Sequence, residues 1–197
     1  MIDKTPTADV MRGWVESHRA KHTPVQQFDI KIDANGQWYH EGSAIHREKM
    51  VSLFASILTR LEDGAFALVT PGEIGTITVE DAPFIVTQMD ISDAGDAGDA
   101  SDASDASDAA IPDQIIQLST SIGDTVVVDA AHPIELRESG GVEKPYIMIR
   151  NGLDALINRA VFYDMADHSA VKNGQIGIWS SGVFHPLSSQ PIDQDDE

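Results

Sequence analysis

Arg47 and Arg159 are the residues of this sequence best placed to hold an anion. Each stands near the expected start of a helix, where free backbone N–H groups favour negative charge and an arginine adds a planar fork for phosphate or carboxylate. Only 13 of the 197 residues are Lys or Arg, against 32 Asp or Glu, so two arginines in matching places stand out. Together they are expected to grip an anionic ligand between two halves of the chain. The competing expectation is structural: each arginine pairs with Glu80, Asp81 or Asp129 and braces the fold.

Those three acids end two similar stretches. Residues 75–84 read Gly-Thr-Ile-Thr-Val-Glu-Asp-Ala-Pro-Phe, and residues 123–134 read Gly-Asp-Thr-Val-Val-Val-Asp-Ala-Ala-His-Pro-Ile. Paired carboxylates suit acid–base work or a hard cation. An acid at a strand end more often caps its own turn. No nucleophile or base accompanies them in a recognisable motif, so no residue is assigned to catalysis, and the three are kept as ligand-binding candidates.

Other chemistries lose ground on residue types and spacing. There is no cysteine, which removes disulfides, thiolate metal sites and a cysteine nucleophile. His18 and His22 share a helix face at i, i+4, but no Glu-containing zinc motif joins them, and no metal ligand is assigned. Phosphate-cradling glycine loops and the nucleophile elbow are missing from the sequence. A formal charge of −19 repels nucleic acid and anionic membranes, so neither is an expected partner. With no signal-peptide pattern and no apolar run of membrane-spanning length, a cytoplasmic protein is expected.

The elements that must position these residues follow from periodicity. Residues 7–19 predict a short amphipathic helix with Thr7 as N-cap, carrying Val10, Met11, Trp14, Val15 and His18 on one side. Residues 28–33 and 37–41 predict a hairpin around Asn35-Gly36. Apolar residues from Ile45 to Leu61 keep a helical period, with Ser43 as the expected cap. Strands are expected at 66–70, 76–79 and 84–91. A second helix is expected to open at Asn151-Gly152 and run through Leu153, Leu156, Ile157, Ala160 and Val161. Residues 176–180 and 183–187 predict a closing hairpin.

Between the halves lies a different composition. Residues 92–110 repeat Asp-Ala-Gly and then Asp-Ala-Ser, with nothing apolar larger than alanine. Such a segment cannot bury enough surface to offset its conformational entropy and is expected to be a disordered insertion. A calcium tract is the weaker alternative, because a spacing of three does not match a calcium-binding loop. The expected organisation is a lead-in with a helix (1–27), an α+β subdomain (28–91), the insertion (92–113), a second α+β subdomain (114–187) and an acidic tail (188–197). The fold class is α+β: two similar small subdomains related by duplication, each with antiparallel strands and a main helix.

Four runs also mark a resemblance. Gly-Ser-Ala-Ile-His-Arg (42–47), Leu-Val-Thr-Pro-Gly-Glu (68–73), Val-Glu-Asp-Ala-Pro-Phe (79–84) and Leu-Ile-Asn-Arg-Ala-Val-Phe-Tyr-Asp (156–164) make the chain resemble the bacterial family catalogued as domain of unknown function 1285. The resemblance covers about residues 28–187. It implies two duplicated α+β subdomains, the C-terminal one superficially pleckstrin-homology-like, a site between them for a nucleotide-like ligand, and a signalling role. The expectation is therefore a non-catalytic ligand-binding or regulatory module. A protein–protein adaptor is the alternative, and an enzyme using the corner carboxylates ranks third.

Overall fold

A computed structural model describes residues 6–93, 113–139 and 141–190. The expected insertion falls almost wholly outside them, as does the end of the acidic tail. Ser92 and Asp93 belong to a strand.

The first helix, α1 (Ala8–Ala20), begins where its sequence says it should, with the Thr7 hydroxyl accepting from the Val10 N–H. Asp9 sits in its first turn and His18 and Arg19 in its last, each matching the helix dipole. Strands β1 (Gln26–Ile32), β2 (Trp38–His40) and β3 (Ser43–Ala44) follow as a meander. Then come α2 (Glu48–Ser56), β4 (Leu58–Arg60), β5 (Phe66–Val69) and β6 (Ile74–Val79). The six strands form one sheet in the order β3-β2-β1-β6-β5-β4, antiparallel except where β1 runs parallel to β6.

Past β7 (Phe84–Asp93), the chain continues through β8 (Gln114–Thr120), β9 (Thr125–Val127), β10 (Ile134–Ser139), β11 (Val142–Arg150) and β12 (Leu153–Ile157). These strands form a second six-stranded sheet, β10-β11-β12-β7-β8-β9. Helix α3 (Arg159–Asp167) leads into a three-stranded sheet of β13 (Ala170–Lys172), β14 (Gln175–Ser180) and β15 (Val183–Pro186). Adding six to each strand number of the first sheet gives the second sheet's order read backwards. Each is two meanders joined through the first strand of one and the last strand of the other, so the chain has used one plan twice. The protein is α+β, with two similar six-stranded sheets and a nine-residue helix for each.

Two helix expectations need correction. The period running from Ile45 to Leu61 extends beyond the helix at both ends. Ser43 enters β3, Arg47 is the N-cap residue without a side-chain cap bond, and Leu58 to Arg60 becomes a strand. Leu58 is fully buried opposite Leu68 on β5, and that cross-strand pairing overrides the local helical pattern. Likewise, residues 153–157 are not helical. Leu153, Ala155 and Ile157 are buried at alternate positions, the period of a strand. Asn151 and Gly152 both take positive φ and make a two-residue turn into β12, while Asn158 caps α3 by accepting from the Val161 N–H.

The chain divides into two compact units: Met1–Ile85 with Met148–Ala155, and Val86–Ile147 with Leu156–Glu197. In the first, Trp14, Val15 and Leu61 pack on buried Ala67, Val69 and Ile74, which seats α1 on β5. In the second, Phe184 packs edge-on against Trp179 across the closing hairpin, while His185 and Ser180 are buried.

Candidate functional site

The corner acids are held by their own neighbourhoods. Glu80 pairs with Lys31 at 2.5 Å and accepts the Ala34 N–H at 3.0 Å, and these two contacts hold its pKa below the usual carboxylate value. Asp81 is half-buried in the turn that follows β6. Asp129 caps its turn: one oxygen accepts the N–H groups of Ala131 and His132 at 2.8 Å each, with the His132 ring 3.3 Å away. Burial works to raise its pKa, and those donors outweigh burial and lower it.

The two arginines stand in different units. Arg47 is exposed at the N-cap of α2. Arg159 opens α3, also exposed, and its Nε donates to the Tyr163 hydroxyl at 2.7 Å while the guanidinium lies over that ring. Neither lines the arginine cleft along α1 or the groove beside β1.

One histidine–serine–acid grouping tests the catalytic alternative. Ser180, His185 and Asp129 belong to one unit, and both Ser180 and His185 are buried. The Ser180 hydroxyl donates to the Val128 carbonyl at 2.6 Å and accepts the Ile116 N–H at 3.0 Å. A fully buried hydroxyl with both roles taken ties strands together; it is not a poised nucleophile. Burial lowers the pKa of His185, against the pull of Asp129. Among the described residues no group of three His, Asp or Glu is arranged to hold a metal ion.

The site that sequence reasoning missed lies along α1. Arg12 and Arg19 are two helical turns apart on one face, and Arg60 ends β4 opposite them. With Val15, Leu61, Glu62 and Asn151 they line an open cleft of about 350 Å³. Arg19 grips both oxygens of Glu62, at 2.8 and 3.3 Å, which raises the arginine's pKa and lowers the acid's. Arg12 reaches Asp9 at 3.5 Å, and Arg60 reaches Asp154 at 4.0 Å, with its Nε donating to the Gly64 carbonyl at 3.3 Å. The Arg60 guanidinium also lies over the Phe66 ring at 5.4 Å.

Three of the chain's 13 basic residues therefore face one cleft of a protein carrying −19 charges. Exposed ion pairs such as these contribute little and are screened by salt, so an incoming anion can displace the carboxylates. Arg12 and Arg19 gave a signal of their own, an i, i+7 spacing on a legible helix. Arg60 gave none.

The fold is thus a duplicated α+β architecture bearing open clefts. A description of the N-terminal domain of unknown function DUF1285 matches residues 18–82, and one of the DUF1285 C-terminal domain matches residues 104–187. A crystal structure of a DUF1285 family protein from Silicibacter pomeroyi DSS-3 shares 35% identity with this chain, covers 82% of it and 80% of its own length, and superposes with a TM-score of 0.68. The chain belongs to the DUF1285 family. A second DUF1285 protein, from Shewanella baltica OS155, is 26% identical over 71% of this chain and 91% of its own, with a TM-score of 0.49. No curated protein matches the chain. Among the described residues no helix is long and apolar enough to cross a membrane.

Proposed function

We propose that this protein is a non-catalytic regulatory module that binds an anionic, phosphorylated ligand. The observation that supports this reading is the cleft of Arg12, Arg19 and Arg60 on an otherwise acidic chain. Charge-assisted hydrogen bonds from arginine to phosphate are about twice as strong as neutral ones, and the fork geometry adds specificity. Arg12 and Arg19, about 10 Å apart along the helix axis, suit a ligand with more than one anionic group, such as a nucleoside polyphosphate. The corresponding role is signalling in a bacterial cytoplasm.

A thermal-shift screen against nucleotides, cyclic dinucleotides, coenzymes and phosphorylated metabolites tests the reading. A ligand at a hundredfold excess over its Kd adds about 2.7 kcal/mol of stability. The shift should fall by about half or more in Arg60→Ala and persist in full in Arg47→Ala and Arg159→Ala. If it instead vanishes only in the latter two, the ligand is held by the helix-start arginines. A flat screen removes the ligand-binding reading.

The second reading, a protein–protein adaptor, rests on α2, where Met50 is 40% and Leu53 51% exposed. A defined partner lost on Leu53→Asp, with the fold intact by circular dichroism, would replace the first reading.

A further inference from the structure

The same unit carries a second cleft of opposite character, sharing no lining residue with the arginine cleft. It is an open groove of about 420 Å³, floored by Phe28, Ile30, Phe54, Ile57 and Leu68. Its rim holds Asp29, Glu41 and Glu73, all exposed. Among the described residues no ion pair or side-chain hydrogen bond engages these three carboxylates.

The backbone is shaped to build this groove. β1 pairs with β6 at Gln27↔Thr76 and next at Lys31↔Thr78, so β1 advances four residues while β6 advances two. Three residues, Phe28 to Ile30, therefore stand against one, Ile77. A bulge of this kind re-aims side chains and recurs beside binding sites. Here it gives Phe28 and Ile30 to the floor and Asp29 to the rim. The Phe28 ring lies against Gly75, where any Cβ would overlap it. On the other side of β1, the Glu41 N–H donates to the Asp29 carbonyl at 3.1 Å, tying those two rim residues together. Glu41 itself sits in a two-residue turn at φ 49°, and Glu73 in the turn whose Thr70 N–H donates to the Glu73 carbonyl at 2.9 Å.

We infer that this groove is a binding site for a small organic cation, an ammonium group joined to an apolar body. Aromatic faces attract cations through their quadrupole, and desolvated aliphatic walls accept the body. Three carboxylates without an ion pair among the described residues supply the charge complement, and they select a cation over its neutral isostere. The volume lies within the range of small-ligand sites, about 300–1,000 Å³.

The test uses the whole chain, isotopically labelled, titrated with 2-phenylethylammonium, 2-phenylethanol and phenylacetate and followed by backbone amide NMR. The cation should shift amides of residues 28–30, 40–41, 54–57 and 73. Its Kd should be at least tenfold lower than that of the alcohol, and the acid should not bind. Asp29→Asn/Glu41→Gln/Glu73→Gln, all at exposed positions that leave the core untouched, should erase the preference for the cation. Equal binding of cation and alcohol, shifts located elsewhere, or an undiminished preference in the triple variant would each overturn the proposal. Titrating Arg60→Ala alongside separates the two clefts: the groove should respond unchanged, whatever the anion screen returns.

Discussion

Two clefts on one unit carry opposite charge, and they differ most in how that charge is compensated. In the arginine cleft every cation already has a carboxylate: Arg19 with Glu62, Arg12 with Asp9, Arg60 with Asp154. In the carboxylate-rimmed groove Asp29, Glu41 and Glu73 stand without partners among the described residues. Paired charges hold an empty site in shape and must be displaced by a ligand. Unpaired ones repel each other until a counter-ion arrives. The first arrangement favours ligands that outcompete a carboxylate, and the second accepts any cation whose body fits.

The largest expected effect breaks the groove without touching the cleft. In Gly75→Ala the new methyl group overlaps the Phe28 ring, so that ring must leave its place in the groove lining. Gly75 is buried in β6 and Phe28 is half-buried, so the strain should cost about 1–3 kcal/mol of stability. Urea denaturation measures the loss. Binding of 2-phenylethylammonium should disappear while binding of an anion to the arginine cleft persists. If both disappear, the two clefts are not independent.

Next in size is the loss of an arginine. Arg60→Ala removes the cation facing α1 and should weaken an anionic ligand about 10- to 100-fold, the scale of a charge-assisted hydrogen bond at about 1.5–3 kcal/mol. Calorimetry of the ligand found in the screen gives the ratio. Glu62→Gln should act in the other direction, releasing Arg19 and tightening the anion about two- to fivefold. An unchanged affinity in Glu62→Gln would mean that Arg19 never reaches the ligand.

What the sequence disclosed of these sites follows the range of the interactions that make them. Thr7 capping α1 and the turn around Gly36 are local and were legible. So was the α+β plan, although the repeated Gly-to-Pro corners fall at inequivalent steps of the six-strand repeat, β6 to β7 and β9 to β10. The helices were overextended for the same reason that the groove was invisible. Leu58 and Leu153 satisfy a helical period locally, and only pairing with distant strands makes them strand residues. Phe28, Ile30 and Ile32 alternate as any strand would, so nothing in them announces the bulge that β6 imposes. Arg47 and Arg159 are conspicuous in the sequence because they stand beside helices. Arg12, Arg19 and Arg60 meet only because α1 lies over the sheet.

The smallest effect is one of pH, and it asks whether the compensation in the arginine cleft is real in solution. The bond from Arg19 holds the Glu62 pKa below its reference value of 4.5 in the folded chain. A depressed carboxylate contributes stability that is fully present above the unfolded pKa and is lost as pH falls through the folded one. The pair should therefore be intact at neutral pH and open only below pH 4.5, freeing Arg19 for a phosphate that remains anionic there. NMR titration of the Glu62 side-chain carboxyl checks this directly. Its midpoint should lie below 4.5 in the native chain and return toward 4.5 in Arg19→Ala. Anion affinity should rise over the same interval. A Glu62 midpoint that ignores Arg19→Ala would dissolve the distinction between a compensated cleft and an uncompensated one, because the arginines would then be as free as the acids opposite them.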